Sequence, residues 1–336
     1  MRIVTNIYSY AFLCLSLLAC NTLAHDWINH IQSSLSEAQI KRDVKSMHKD
    51  GKTVAQTIED ALREDHAHIC AKIKLHLKVP DAVWQSAMAE AQSRTSQLCS
   101  ILRSKENIHN NAWFISEQEI EALKNPAERT QWNNVRIVAK NALLDFGINP
   151  HNIYIHAHDA DYLDYLQNAI TQEPSWWRRQ ALKLKRNVHQ WSYSFSPLWC
   201  SCSIKNEKPQ AEIAFNISAM SYFEPVEQKG LFAHELTHIL EGHLQEHAIL
   251  NELETEYGPI SKKLWQQYHY SLEYMADQLP ALTSINAAKT ARDHVHPSMD
   301  VFVPRFTNHP LAFYRKRALN TIVRYLEYEQ KIHGKQ

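Results

Sequence analysis

The stretch HELTHILEGH, residues 234–243, holds three histidines and two glutamates within ten positions. On a helix, His234 and His238 stand one turn apart and project from one face, so that two imidazole nitrogens can converge on a single ion. Glu235 lies beside them, unable to reach the same ligand position but placed to hold and deprotonate a water. The chemistry this spacing supports is hydrolysis assisted by a metal ion such as zinc, with Glu235 as the general base. His243 does not extend the set. The longer HExxHxxGxxH pattern needs glycine at 241 and histidine at 244, where this chain has Glu241 and Leu244. On a helix continued past Leu240, His243 points away from the two ligands and reads as a packed or partly exposed side chain. The third ligand must come from another element.

The best candidate lies in SLEYMADQL, residues 271–279, where Glu273 and Asp277 are one helical turn apart and Leu272, Met275, Ala276 and Leu279 form the apolar remainder. A carboxylate on a second helix can complete a His, His, Glu site. An aspartate one turn on can accept the free N–H of a ligating histidine and fix its tautomer. The same spacing also suits a solvent-facing acidic pair. Glu252 and Glu254 compete as ligands, but on a continuation of the motif helix they are poorly aimed. His156 and His158 in HAHD could form a second pair on a strand, a pattern that surface or core histidines also produce.

These residues need helices and at least one strand to hold them. Val54, Ile58, Leu62 and Ile69 recur at helical spacing, and DAVWQSAMAEAQSRTSQLCSIL repeats the pattern, so residues up to about 125 read as helical. A break is expected around KNPAERT. QWNNVRIVAKNALLDFG then reads as an amphipathic helix closed by Gly147. Ile153 and Ile155 alternate with polar neighbours and predict a strand. PSWWRRQALKLKRNV reads as a basic, tryptophan-containing helix. QWSYSFS, WCSCSI and AEIAFNISAM read as strands, the last two joined as a hairpin through KNEKPQ. From Glu224 onward the pattern is helical, with Pro280 expected to kink or end the helix that carries Glu273. AEIAFNISAM reads as an edge strand able to bind an extended peptide by strand addition.

Composition excludes several function classes. The chain has 336 residues, an apolar fraction of 44% and a formal net charge of zero, so it has a core to bury and no charge excess to draw in nucleic acid. Its 6 glycines form neither a GxGxxG nor a GxxxxGK[ST] phosphate loop. The opening MRIVTNIYSYAFLCLSLLACNTLA has the order of an export signal. Cleavage after Ala24 and a lipobox ending in LLAC, which would leave a lipidated Cys20 as membrane tether, are both compatible with it. The protein is thus expected to be exported: periplasmic, tethered to the outer membrane, or secreted. In such a compartment Cys70, Cys99, Cys200 and Cys202 are disulfide candidates, Cys70 with Cys99 being the most economical pair, while Cys200 and Cys202 face one way on a strand at a separation awkward for a direct bond. Asn216 in NIS fits a glycosylation acceptor.

LFAHELTHIL, SLEYMADQLPAL and TNHPLAFYRKRAL, in that order and covering roughly residues 131–320, resemble the M48 family of zinc metallopeptidases, gluzincins that include bacterial envelope proteases. The resemblance implies an α+β, mostly helical fold: a zincin-type catalytic domain over residues 131–336, with a small antiparallel or mixed sheet and the HExxH helix. Before it come a signal at 1–24 and a helical region at 25–130. It implies one Zn2+ per chain on His234, His238 and Glu273, with Asp277 as the hydrogen-bond partner of a ligand. His309 would face the substrate or the developing oxyanion and Arg315 would help position it, although His296 also precedes a proline. The implied activity is endopeptidase cleavage of protein or peptide substrates, and the edge-strand reading of AEIAFNISAM favours unfolded or flexible ones. The alternative is a chaperone-like envelope protein that keeps the fold with little turnover. The chain departs from the family in the short interval between HExxH and the glutamate and in lacking membrane helices.

Overall fold

Apolar spacing sets most of the local structure. In the computed structural model, residues 35–107, 120–121, 126–157, 169–183, 198–205, 208–215, 220, 223–295, 310 and 312–333 are described. The expected signal with Cys20, the strand QWSYSFS, and His158, Asn216, His296 and His309 lie outside them. Among the described residues the fold is mostly helical with a small mixed sheet of three strands, and no helix is long and apolar enough to cross a membrane. The chain divides into two compact units, residues 1–73 with 260–336, and residues 74–259.

In the first unit, α1 (Glu37–Lys49) starts at Ser36, whose hydroxyl accepts from the Gln39 N–H at 3.1 Å. Its buried stripe, Ile40, Val44 and Met47, meets Val54, Ile58 and Leu62 of α2 (Val54–Leu77). α7 (Lys262–Ala281), α8 (Ile285–His294) and α9 (Ala312–His333) complete this core with Tyr274, Met275, Ala288, Leu319, Ile322 and Tyr325. Glu329 of α9 holds the turn between α1 and α2: one carboxylate oxygen accepts the Val54 N–H at 2.9 Å and lies 3.0 Å from His48 Nε2. Burial, together with a 2.6 Å hydrogen bond donated to Asp43, pushes the Tyr325 phenol above its ordinary range. Pro280 acts as expected, α7 ending one residue beyond it.

In the second unit, α3 (Asp81–Arg103) ends against the turn that follows α4 (Pro126–Asp145). The Asn152 side-chain amide donates to the carbonyls of Ile101, Ser104 and Glu106 at 2.8, 3.0 and 3.1 Å, which satisfies acceptors that the helix end leaves open. α4 begins at Pro126, inside the KNPAERT segment read as a break. Proline fits the first helical position because its missing N–H has no intrahelical role there. Gly147 closes the helix with φ 68°, as its position after LLDF indicates.

The sheet has the order β1 (Tyr154–Ala157), β3 (Lys208–Phe215), β2 (Leu198–Lys205). β1 and β3 are parallel, from Tyr154 opposite Glu212 to Ala157 opposite Phe215, while β2 and β3 form the expected antiparallel hairpin. This corrects one expectation. β3, which contains AEIAF, is the central strand among the described residues, paired on both sides over Glu212–Phe215, so AEIAF is not an edge strand open to a peptide. Its alternation alone could not show this, because β1 pairs with it from more than fifty residues away. Ile155, Ile213 and Phe215 pack with Leu98, Val135 and Leu143 and with Phe232, Leu236 and Ile239 of α5 (Pro225–Leu240).

Among the described residues Cys70, Cys99, Cys200 and Cys202 form no disulfide, which corrects the pairing of Cys70 with Cys99. Each thiol is directed to a neighbour of its own: Cys70 Sγ lies 3.6 Å from His66 Nε2, and Cys99 Sγ 3.6 Å from the Leu240 carbonyl. Cys200 and Cys202 share one face of β2 and pack on the core, and burial pushes the Cys202 thiol up to about 12. A thiol held that high stays protonated near neutral pH.

Candidate metal centre

α5 carries the two motif histidines on a well-fixed helix start. Pro225 occupies its first turn, the Glu227 carboxylate accepts the Glu224 N–H at 2.8 Å, and buried Gln228 donates to the carbonyls of Met220 and Phe223 at 2.9 and 3.0 Å. Phe232, Leu236 and Ile239 anchor one face in the core. The opposite face presents His234 and His238, both buried, while Glu235 beside them is half-exposed.

The Nε2 atoms of His234 and His238 are 3.2 Å apart, with the rings tilted by 75°. Two nitrogens bound at about 2.0–2.1 Å to one tetrahedral ion stand roughly 3.3 Å apart, so the observed separation fits a ligand pair already aimed at one point. Without a proton or cation between them the two lone pairs would repel.

His243 joins the centre, which a helix continued through EGH does not allow: α5 stops at Leu240 and Gly242 takes φ 77°. The reversal starts α6 (His243–Tyr257) and brings buried His243 back to His238, their Nδ1 atoms 2.9 Å apart. When His238 gives its Nε2 lone pair to a cation, its proton must sit on Nδ1, and His243 Nδ1 is placed to accept it. The signal that could have found this was Gly242 itself, which in the position after a helix end announces a left-handed turn.

Gly242 is required for a second reason. A β-carbon there would collide with the Thr95 hydroxyl on α3 and come within 2.9 Å of its methyl. Gly242→Ala adds a strained positive φ to overpacking and is expected to lower unfolding free energy by about 2–4 kcal/mol, measured by urea titration. A loss below about 0.5 kcal/mol would mean that the turn re-forms without strain.

On α7 the expected pair is present and buried rather than facing solvent, with Glu273 at 8% and Asp277 at 1% exposure. Arg315 of α9 grips Asp277 with both arms, Nε to Oδ2 and Nη2 to Oδ1, each at 2.6 Å. Its Nη1 lies 3.8 Å from Glu273 Oε2, an ion-pair distance too long for a hydrogen bond. Burial opposes the guanidinium charge, but the Asp277 carboxylate outweighs it, with Glu273 adding to the effect, and holds the arginine above its ordinary pKa. Arg315 therefore fixes Asp277 and lends its charge to Glu273, and His309, the group it was expected to position, lies outside the described residues. Glu252 is ruled out as a competing ligand by its exposure on α6, where it pairs with Arg94 at 3.8 Å.

His234, His238 and Glu273, two imidazoles and a carboxylate, all buried, make a donor set that could hold a metal ion. No protein-family model, curated protein or solved structure matches the chain.

Proposed function

We propose that the protein is a zinc-dependent endopeptidase with a zincin-type site, exported to the cell envelope or beyond, in which His234, His238 and Glu273 hold one zinc ion. The observation that carries this reading is the buried His234 and His238 pair, whose Nε2 atoms stand 3.2 Å apart. The order HExxH, SLEYMAD, NHPLAFYR in the sequence, similar to the M48 metallopeptidases, adds support through its second and third segments. A zinc ion bound there would supply a Lewis acid and lower the pKa of a water.

The chain's own residues do the rest. Glu235, half-exposed and adjacent to His234, takes the proton of the attacking water and delivers it to the leaving amine. His243 keeps the proton of His238 on Nδ1, which leaves Nε2 free to bind. Arg315 holds Asp277 by two charge-assisted hydrogen bonds and places its positive charge beside Glu273. The substrates proposed are flexible or unfolded proteins, whose backbone can reach a buried centre.

Metal analysis of the purified protein tests the site. One zinc per chain is expected, lost in His234→Ala and weakened by about 10–100-fold in affinity in His243→Ala, which removes only a positioning group. Absence of zinc from the wild type after reconstitution would sink the reading. Full retention in Glu273→Ala would mean that another residue is the third ligand.

A further inference from the structure

One feature of the second unit serves no part of this chemistry. The segment PSWWRRQALKLKR, residues 174–186, carries five basic residues and no acidic one in a chain whose net charge is zero. Its residues 176–183 are helical. Trp176 and Trp177 are 57% and 77% exposed, their rings in edge contact at 4.4 Å between centroids. Arg178, Gln180, Ala181 and Lys183 are also exposed, and only Arg179 and Leu182 are half-buried. Arg179 is spent on the helix start, donating through Nε and Nη2 to the Glu173 carbonyl at 3.1 and 2.7 Å.

At about 100° per residue, Trp177 and Ala181 fall on one side of this helix and Arg178 and Arg179 on the other, with Trp176 and Lys183 together along a seam between them. Two exposed indoles beside exposed cations, in a segment with no acidic residue, suit a medium that is apolar on one side and anionic on the other. Indole rings settle at the level of lipid headgroups, and basic side chains reach the phosphates from there.

We propose that residues 176–183 are a docking surface for an anionic phospholipid bilayer, with Trp176 and Trp177 entering the headgroup boundary and Arg178 and Lys183 contacting lipid phosphate. Charge complementarity identifies the occupant. A nucleic acid would be drawn by a broad positive field, which a chain of zero net charge lacks, and would leave Trp177, on the side away from the arginines, without a role. This surface is independent of any lipid at Cys20 and of the metal reading.

The test is flotation of the full-length protein with vesicles of phosphatidylcholine alone or mixed with phosphatidylglycerol. Trp176→Ala with Trp177→Ala and, separately, Arg178→Gln with Lys183→Gln are compared with wild type. All four side chains are exposed, so the fold should survive, which circular dichroism checks, and the N-terminal segment is the same throughout. The expected result is salt-sensitive binding to the anionic vesicles, weakened about tenfold or more in each double variant, and blue-shifted tryptophan emission in the wild type only. Equal flotation of wild type and variants would overturn the proposal. So would binding to heparin that needs Arg178 and Lys183 but neither tryptophan, which would mark a polyanion site instead.

Discussion

Glu235→Gln is expected to abolish peptide hydrolysis while leaving zinc content and thermal unfolding at wild-type values. Glutamine keeps the shape and can still hold a water by hydrogen bonding, but it cannot take a proton. A positioned general base contributes about 10²–10⁴-fold to rate, so kcat should fall by at least that factor with KM little changed. Glu235 is half-exposed, at a helix position whose anchors are Phe232, Leu236 and Ile239, so the change removes no packing. The measurement is single-turnover cleavage of an unfolded protein substrate, beside zinc analysis of the same preparation. Wild-type turnover in the variant would remove Glu235 from the mechanism. A cellular phenotype that survives the loss of cleavage would favour the chaperone-like reading.

Arg315→Met should be the most destabilising substitution outside the apolar core. It removes the counter-charge from Asp277, which is 1% exposed and receives two 2.6 Å hydrogen bonds from the guanidinium, and takes the nearest arginine nitrogen away from Glu273 at 3.8 Å. Two buried carboxylates one turn apart on α7 would then face each other without the cation. Breaking a buried pair by removing one partner costs about 3–5 kcal/mol, because the remaining charge stays desolvated. Urea unfolding should show a loss of that size. Arg315→Lys should recover only part of it, since an ammonium cannot reproduce the two-armed grip. The double variant Arg315→Met with Asp277→Leu should be more stable than Arg315→Met alone, since no buried charge is left at position 277. A loss under about 1 kcal/mol in Arg315→Met would mean that water already neutralises this cluster.

The sequence alone determined whatever depends on neighbours within one or two turns. Val54, Ile58, Leu62 and Ile69 are all buried on α2 as their spacing required, Gly147 and Pro280 lie within two residues of the ends of their helices, and His234 meets His238 because any helix puts positions four apart on one face. Tertiary structure decided what depends on segments far apart in the chain. AEIAF is central rather than an edge because β1 arrives to pair with it, and that pairing leaves no mark on the alternation of β3 itself. Cys70 and Cys99 stay thiols because each faces a different neighbour, which an even cysteine count cannot reveal. Asp277 is tied to an arginine 38 residues away, and His243 returns to His238 only because the backbone reverses at Gly242 against Thr95 of α3. Helical periodicity is a local property of bond geometry, whereas strand order, thiol partners and the closure of a buried ion pair are set by which distant surfaces exclude water together.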